Sequence, residues 1–166
     1  MKKLLITIIL LSVCSVYAQT DEKETLKQLN QEVIALYRNQ KFDKALKPAQ
    51  QAVDLSLKIY GEERTETADA YRTLGVMYQE TKKYKQSIDS LQRAVGIYQK
   101  MSDSKHEELV LAYQILAYSQ FLDNRKAESE TNYLKAIEVY ENKFGKESRE
   151  SFLATLNLAN IYVRLK

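Results

Sequence analysis

The sequence predicts an all-α fold in which antiparallel helix pairs stack into a solenoid, and three observations carry that expectation. First, a set of residues returns every 42 positions: Tyr71, Leu74, Gly75 and Tyr78 recur as Tyr113, Leu116, Ala117 and Gln120, then as Thr155, Leu158, Ala159 and Tyr162. Ala70, Ala112 and Ala154 keep the same step. A fixed period of this size means stacked supersecondary units, each too small to bury its own apolar face. Second, the spacing inside each unit is helical. Tyr71, Leu74, Gly75 and Tyr78 fall at i, i+3, i+4 and i+7, and Ser87, Leu91, Ala94 and Tyr98 form a second such face. Third, the 166 residues include only four glycines and one proline, which suits long helices.

Residues 1–18 read as an export signal rather than as part of the fold. Met1-Lys2-Lys3 is basic, Leu4 to Val13 is apolar, and Val16-Tyr17-Ala18 offers a small-x-small cleavage site that leaves Gln19 first. The run is too short for a membrane span, which needs about 20 apolar residues. Cys14 is the only cysteine, and Leu11-Ser12-Val13-Cys14 partly resembles a bacterial lipobox. Lipidation there would tether the chain to a membrane; cleavage after Ala18 would leave no cysteine and no thiol chemistry. The expected place is the periplasm or cell envelope of a Gram-negative host, with the lipoprotein as the alternative.

Residues 19–166 then form one domain. Helices are expected at 22–39, 42–60, 64–81, 84–101, 105–122, 126–143 and 147–165, alternating as A and B members of each pair. Repeating positions of helix B are Phe42, Ala45, Ala49 and Ala52, then Tyr84, Ser87, Leu91 and Ala94, then Lys126, Ser129, Tyr133 and Ala136. Gly75, Ala117 and Ala159 in helix A, like Ala52, Ala94 and Ala136 in helix B, allow a neighbouring backbone to come close. Pro48 lies inside the first helix B, where a missing N–H and a ring clash would kink or delay it unless it is tolerated in an early turn. Ser104-Lys105-His106-Glu107 reads as a capping box that starts a helix. The last helix is apolar around its circumference, through Phe152, Leu153, Leu156, Leu158, Ile161, Tyr162, Val163 and Leu165. Such a helix is normally buried, so a second copy, a partner or further chain is expected to cover it.

The order bulky residue, Leu, Gly or Ala, Tyr, then a small residue, Leu and Ala resembles the tetratricopeptide repeat. Its best copy is Tyr71-x2-Leu74-Gly75-x2-Tyr78-x8-Ser87-x3-Leu91-x2-Ala94, and the resemblance covers about residues 25–166. The usual period of that family is 34. The longer period here is similar to the variant of kinesin light chains and many bacterial repeat proteins, with Tyr60-Gly61-Glu62-Glu63 and Phe144-Gly145-Lys146-Glu147 between repeats. Eight extra residues add roughly 12 Å of helix, about one turn per helix. The resemblance implies a right-handed α-solenoid of about 3.5 repeats. Two departures stand out: the turn between Tyr37 and Phe42 reads one residue short, and Lys126 replaces the aromatic of Phe42 and Tyr84.

Composition narrows the function. The formal charge is +3, and loss of Lys2 and Lys3 leaves 23 basic against 22 acidic residues, with signs interspersed. A nucleic-acid partner would call for a clustered basic face. The single histidine, His106, has no second histidine or cysteine in the mature chain with which to build a common zinc site. The glycines are isolated, so no phosphate loop forms, and no serine elbow accompanies the histidine. Glu62-Glu63 and Glu107-Glu108 stand at helix starts, where carboxylates complement the dipole. Most of the 12 tyrosines occupy repeat positions and are expected in the core. No cofactor is expected, and the chain reads as a non-enzyme.

The resemblance implies that helix A lines a concave groove and that positions offset from its packing stripe face a ligand. These are Arg72, Val76, Gln79 and Glu80 in the second repeat, and Gln114, Tyr118, Phe121 and Leu122 in the third. Asn160 and Arg164 follow in the last helix, and Asn30, Tyr37 and Arg38 come from the first. Such a groove would bind a protein or peptide, its aromatic centre taking an apolar anchor and its arginines a carboxylate. Val76 stands where the carboxylate clamp of chaperone-binding relatives has Asn, so that clamp is not expected. An alternative is a sensory or regulatory input unit, free or cut from a longer signalling protein.

Overall fold

The computed structural model describes residues 2–101, 106–149, 151–153, 155–156 and 159, with side chains from Thr20 onward except that of His106. Six helices follow in order: α1 (Lys2–Arg38), α2 (Phe42–Tyr60), α3 (Thr65–Glu80), α4 (Tyr84–Gln99), α5 (His106–Leu122) and α6 (Lys126–Phe144). The described residues from Arg149 on are helical too. Each helix packs against its chain neighbours, and α3 also touches α5. Thus α1, α3 and α5 form one layer and α2, α4 and α6 the other, which is the all-α solenoid the period implies. Helices α2 to α6 begin and end within two residues of expectation.

Helix α1 is the exception, because it runs unbroken from Lys2 instead of starting near residue 22. Its sequence explains why. Residues 2–38 contain no Gly or Pro, so nothing stops a helix between the apolar run and the first repeat. Among the described residues no helix is long and apolar enough to cross a membrane. Pro48 neither delays nor interrupts α2; it is buried within the helix, which continues to Tyr60. The capping box lies outside the described residues at Ser104 and Lys105.

The turns from A to B repeat with the same period as the sequence. Gln40, Lys82 and Asn124 all have positive φ, at 56°, 61° and 63°. In each turn the left-handed residue bonds back three positions and the next residue five: Gln40 N–H to Tyr37 O and Lys41 N–H to Leu36 O, both 2.9 Å. Lys82 and Lys83 do the same to Gln79 and Tyr78, and Asn124 and Arg125 to Phe121 and Gln120. This is the Schellman closure of a helix C-terminus. It also corrects the sequence reading: the first A–B turn is not one residue short. Leu36, not Tyr37, is the counterpart of Tyr78 and Gln120, and the aromatic ring of Tyr37 had drawn the register one place forward.

Two of the turns from B to A use glycine. Gly61 and Gly145 have φ of 85° and 88°. Their carbonyls accept hydrogen bonds from buried hydroxyls one turn into the following helix, Thr67 Oγ1 at 2.7 Å and Ser151 Oγ at 2.9 Å. A Cβ at either glycine would meet no clash, so the backbone conformation alone selects Gly there.

The core is built from traded volumes. Where helix A meets its own helix B, Val33 goes with Ala49, Gly75 with Leu91, and Ala117 with Tyr133, all buried. As the B residue grows, the A residue is small. A Cβ on Gly75 would lie 2.6 Å from Leu91 Cγ, inside any tolerable contact. Ala117 is fully buried against Tyr133. Ala159 departs from its expected role: it is exposed, because among the described residues no helix packs over it as α4 and α6 do over Gly75 and Ala117. Likewise Phe152, Leu153 and Leu156 are exposed rather than buried. Leu158, Ile161, Tyr162, Val163 and Leu165 lie outside the described residues. At the other end Glu32 replaces Leu74 and Leu116 and is exposed, the polar outer position of a terminal repeat unit.

Candidate functional site: the groove of the A helices

One row of positions crosses the A layer in register: Ile34 in α1, Val76 in α3 and Tyr118 in α5. All three are apolar or aromatic. Ile34 is 49% and Tyr118 41% exposed, and Val76 is half-buried between them. Core residues at the same depth of the helices are almost fully buried, so the chain leaves this stripe uncovered. Tyr118 lies against Phe121 with ring centroids 6.4 Å apart and planes at 29°. Tyr37, 42% exposed, extends the stripe at the α1 end and packs on Phe42 at 5.4 Å. Tyr118 thus lies beside Phe121, and Val76 and Tyr118 share their row with Ile34, which the sequence reading did not include. A period-42 comparison of positions 34, 76 and 118 would have found it.

The expected polar groups fare differently. Arg72 is half-buried, and its guanidinium is engaged within the chain. Nη2 donates to Asp69 Oδ1 at 3.2 Å and Nε to Tyr98 Oη at 3.4 Å, while the Tyr98 hydroxyl donates to Asp69 Oδ1 at 2.5 Å. Burial and the acceptor role of Asp69 push the Tyr98 phenol well above its ordinary range, so it stays protonated. Arg72 thus holds Tyr98 in place. Gln79 is also engaged: its Oε1 accepts from Ser119 Oγ at 2.8 Å, bracing α3 against α5. Gln114, Glu80 and Leu122 are half-buried, and Asn30 and Arg38 are exposed. Asn160 and Arg164 lie outside the described residues.

Between α1 and α3 the groove deepens into a cleft of about 490 Å³, lined from α1 by Leu26, Lys27, Asn30 and Ile34 and from α3 by Asp69 and Thr73, with Ser56 of α2 in its floor. Lys23 and Lys27 stand on one wall, and Glu66 and Asp69 on the other. Among the described residues no group of three or more His, Cys, Asp or Glu could hold a metal ion.

The tetratricopeptide repeat family profile matches residues 28–100, from α1 to the end of α4. Residues 28–100 are built of tetratricopeptide repeats. The fold agrees with that membership. BtubC (BKLC) from P. vanneervenii superposes with a TM-score of 0.69 at 17% identity, over 75% of this chain and 50% of its own. The TPR domain of Arabidopsis FLU superposes with a TM-score of 0.61 at 23% identity, over 73% of this chain and 98% of its own. The chain therefore spans about half the length of BtubC. No curated protein matches it. Tetratricopeptide repeats are in general non-catalytic modules that bind proteins, and this chain belongs with such scaffolds.

Proposed function

We propose that this chain is an exported, non-catalytic scaffold that holds a segment of another polypeptide in the groove of α1, α3 and α5. The observation that carries the reading is the uncovered stripe of Ile34, Val76 and Tyr118, one residue per repeat at one depth of the groove. Aromatic and aliphatic anchors in such positions dominate interface energies. Export rests on the basic start, the apolar run and Val16-Tyr17-Ala18.

Replacing Tyr118 with Ala is expected to weaken binding of a partner by about tenfold or more, as for a typical anchor, with helicity unchanged by circular dichroism. Unchanged affinity after Ile34, Val76 and Tyr118 are all replaced by Ser would place binding on the convex face instead. Export is checked by mass spectrometry of envelope material. A chain beginning at Gln19 supports it, a diacylglycerol adduct on Cys14 replaces it with lipidation, and an intact Met1 contradicts it.

A further inference from the structure

The repeat itself indicates which side chain the groove is shaped to receive. In α4, Tyr98 is 1% exposed and belongs to the core cluster that includes Ala68 of α3, Ala94 and Ala112 of α5. Its hydroxyl is held by Asp69 and Arg72 of α3. Tyr140 keeps the same position in α6. One period earlier, in α2, the position is Ser56. The ring is missing there, and the cleft between α1 and α3 opens at that place, with Ser56 in its floor. The counterparts of Asp69 and Arg72 are Lys27 and Asn30, and both line the cleft.

We propose that this cleft is a binding site for a tyrosine side chain of a partner polypeptide, which takes the place that the chain's own tyrosine fills one repeat later. This rests on the groove reading above and gives it a ligand chemistry. The fit has three parts. The exposed side chain of Ile34 offers apolar surface to a ring face, with the buried Leu26 and Ala70 closing the cleft behind it. Lys27 can donate to a phenol oxygen and the Asn30 carbonyl can accept from its hydroxyl, so the polar tip has both partners. Among the described residues Lys27 pairs with Glu24 at 3.4 Å on the exposed surface, a contact of small energy that a ligand can replace. Finally, lysines on one wall face carboxylates on the other, so a net charge gains nothing there. A neutral ring with one polar end suits the cleft better than a carboxylate or an ammonium group.

The test uses the full chain labelled with 15N and N-acetyl-tyrosinamide as probe. Titration into the millimolar range is expected to shift the amide signals of Asn30, Ser56 and Thr73, while N-acetyl-glycinamide shifts none of them. N-acetyl-phenylalaninamide is expected to bind about threefold more weakly, the loss of one modest hydrogen bond. Ser56→Tyr should fill the cleft from within, keep its helicity and abolish the shifts. Should that variant not fold, Asn30→Ala on the exposed wall serves instead, with about threefold weaker binding expected. No localised shifts in the wild type, the same shifts with N-acetyl-glycinamide, or shifts that persist in folded Ser56→Tyr each overturn the proposal. The two readings separate cleanly. A silent probe together with Tyr118-dependent polypeptide binding removes the tyrosine site alone. Tyrosinamide shifts together with polypeptide binding that ignores Tyr118 remove the wider groove reading.

Discussion

Ser87 and Ser129 hold the same place in consecutive repeats, and both are buried against helix A of their own pair, yet their surroundings differ. Ser87 Oγ donates to the Gly75 carbonyl at 2.8 Å and lies 2.9 Å from Ser119 Oγ, whose own proton goes to Gln79 Oε1. The Ser87 hydroxyl thereby ties α4 to α3, and the Ser119 hydroxyl ties α5 to α3. Ser129 Oγ is buried with no hydrogen-bond partner among the described residues. In the sequence the counterpart of Ser119 is Ile161, which offers no hydroxyl, and in the first repeat the position is Ala45. At this position every repeat keeps a small side chain against helix A, while the next repeat decides whether its polarity contributes anything.

The steric half of that statement gives the largest expected effect. Ala117→Leu forces three more carbons against Tyr133 and should destabilise the fold by about 1–3 kcal/mol through overpacking. A thermal melt unchanged by this substitution would break the register that equates Ala117 with Gly75. The polar half predicts opposite signs from identical changes. Ser87→Ala removes the bond to the Gly75 carbonyl and should cost about 1 kcal/mol, whereas Ser129→Ala removes an unmet hydroxyl and should stabilise by about 1 kcal/mol. Urea denaturation of the two variants checks this, and equal shifts of one sign would end the comparison. The smallest effect concerns the turns. Lys82 pays for a left-handed backbone that glycine adopts freely, so Lys82→Gly should raise stability by about 0.5 kcal/mol.

Much of this was legible before any coordinates, because periodicity reports which faces meet. The bounds of α2 to α6 and the small residues at Gly75 and Ala117 follow from spacing. Three things did not. The first A–B turn looks one residue short in the sequence, since Tyr37 is a stronger aromatic signal than Leu36, and only the left-handed residue at Gln40 reveals the true turn. The engagement of Arg72 depends on Tyr98, 26 residues away on another helix, which no local pattern displays. The cleft was invisible because it arises from a missing ring. Ser56 carries no signal of its own and means something only beside Tyr98 and Tyr140.

The groove as the binding face is tested most directly by site-specific photocrosslinking in envelope preparations. A p-benzoylphenylalanine at Val76 in the groove is compared with one at Asp89, exposed on α4 of the other layer. The account predicts a discrete covalent adduct from position 76 that is absent from position 89. Adducts from position 89 alone, or equally from both, would contradict it.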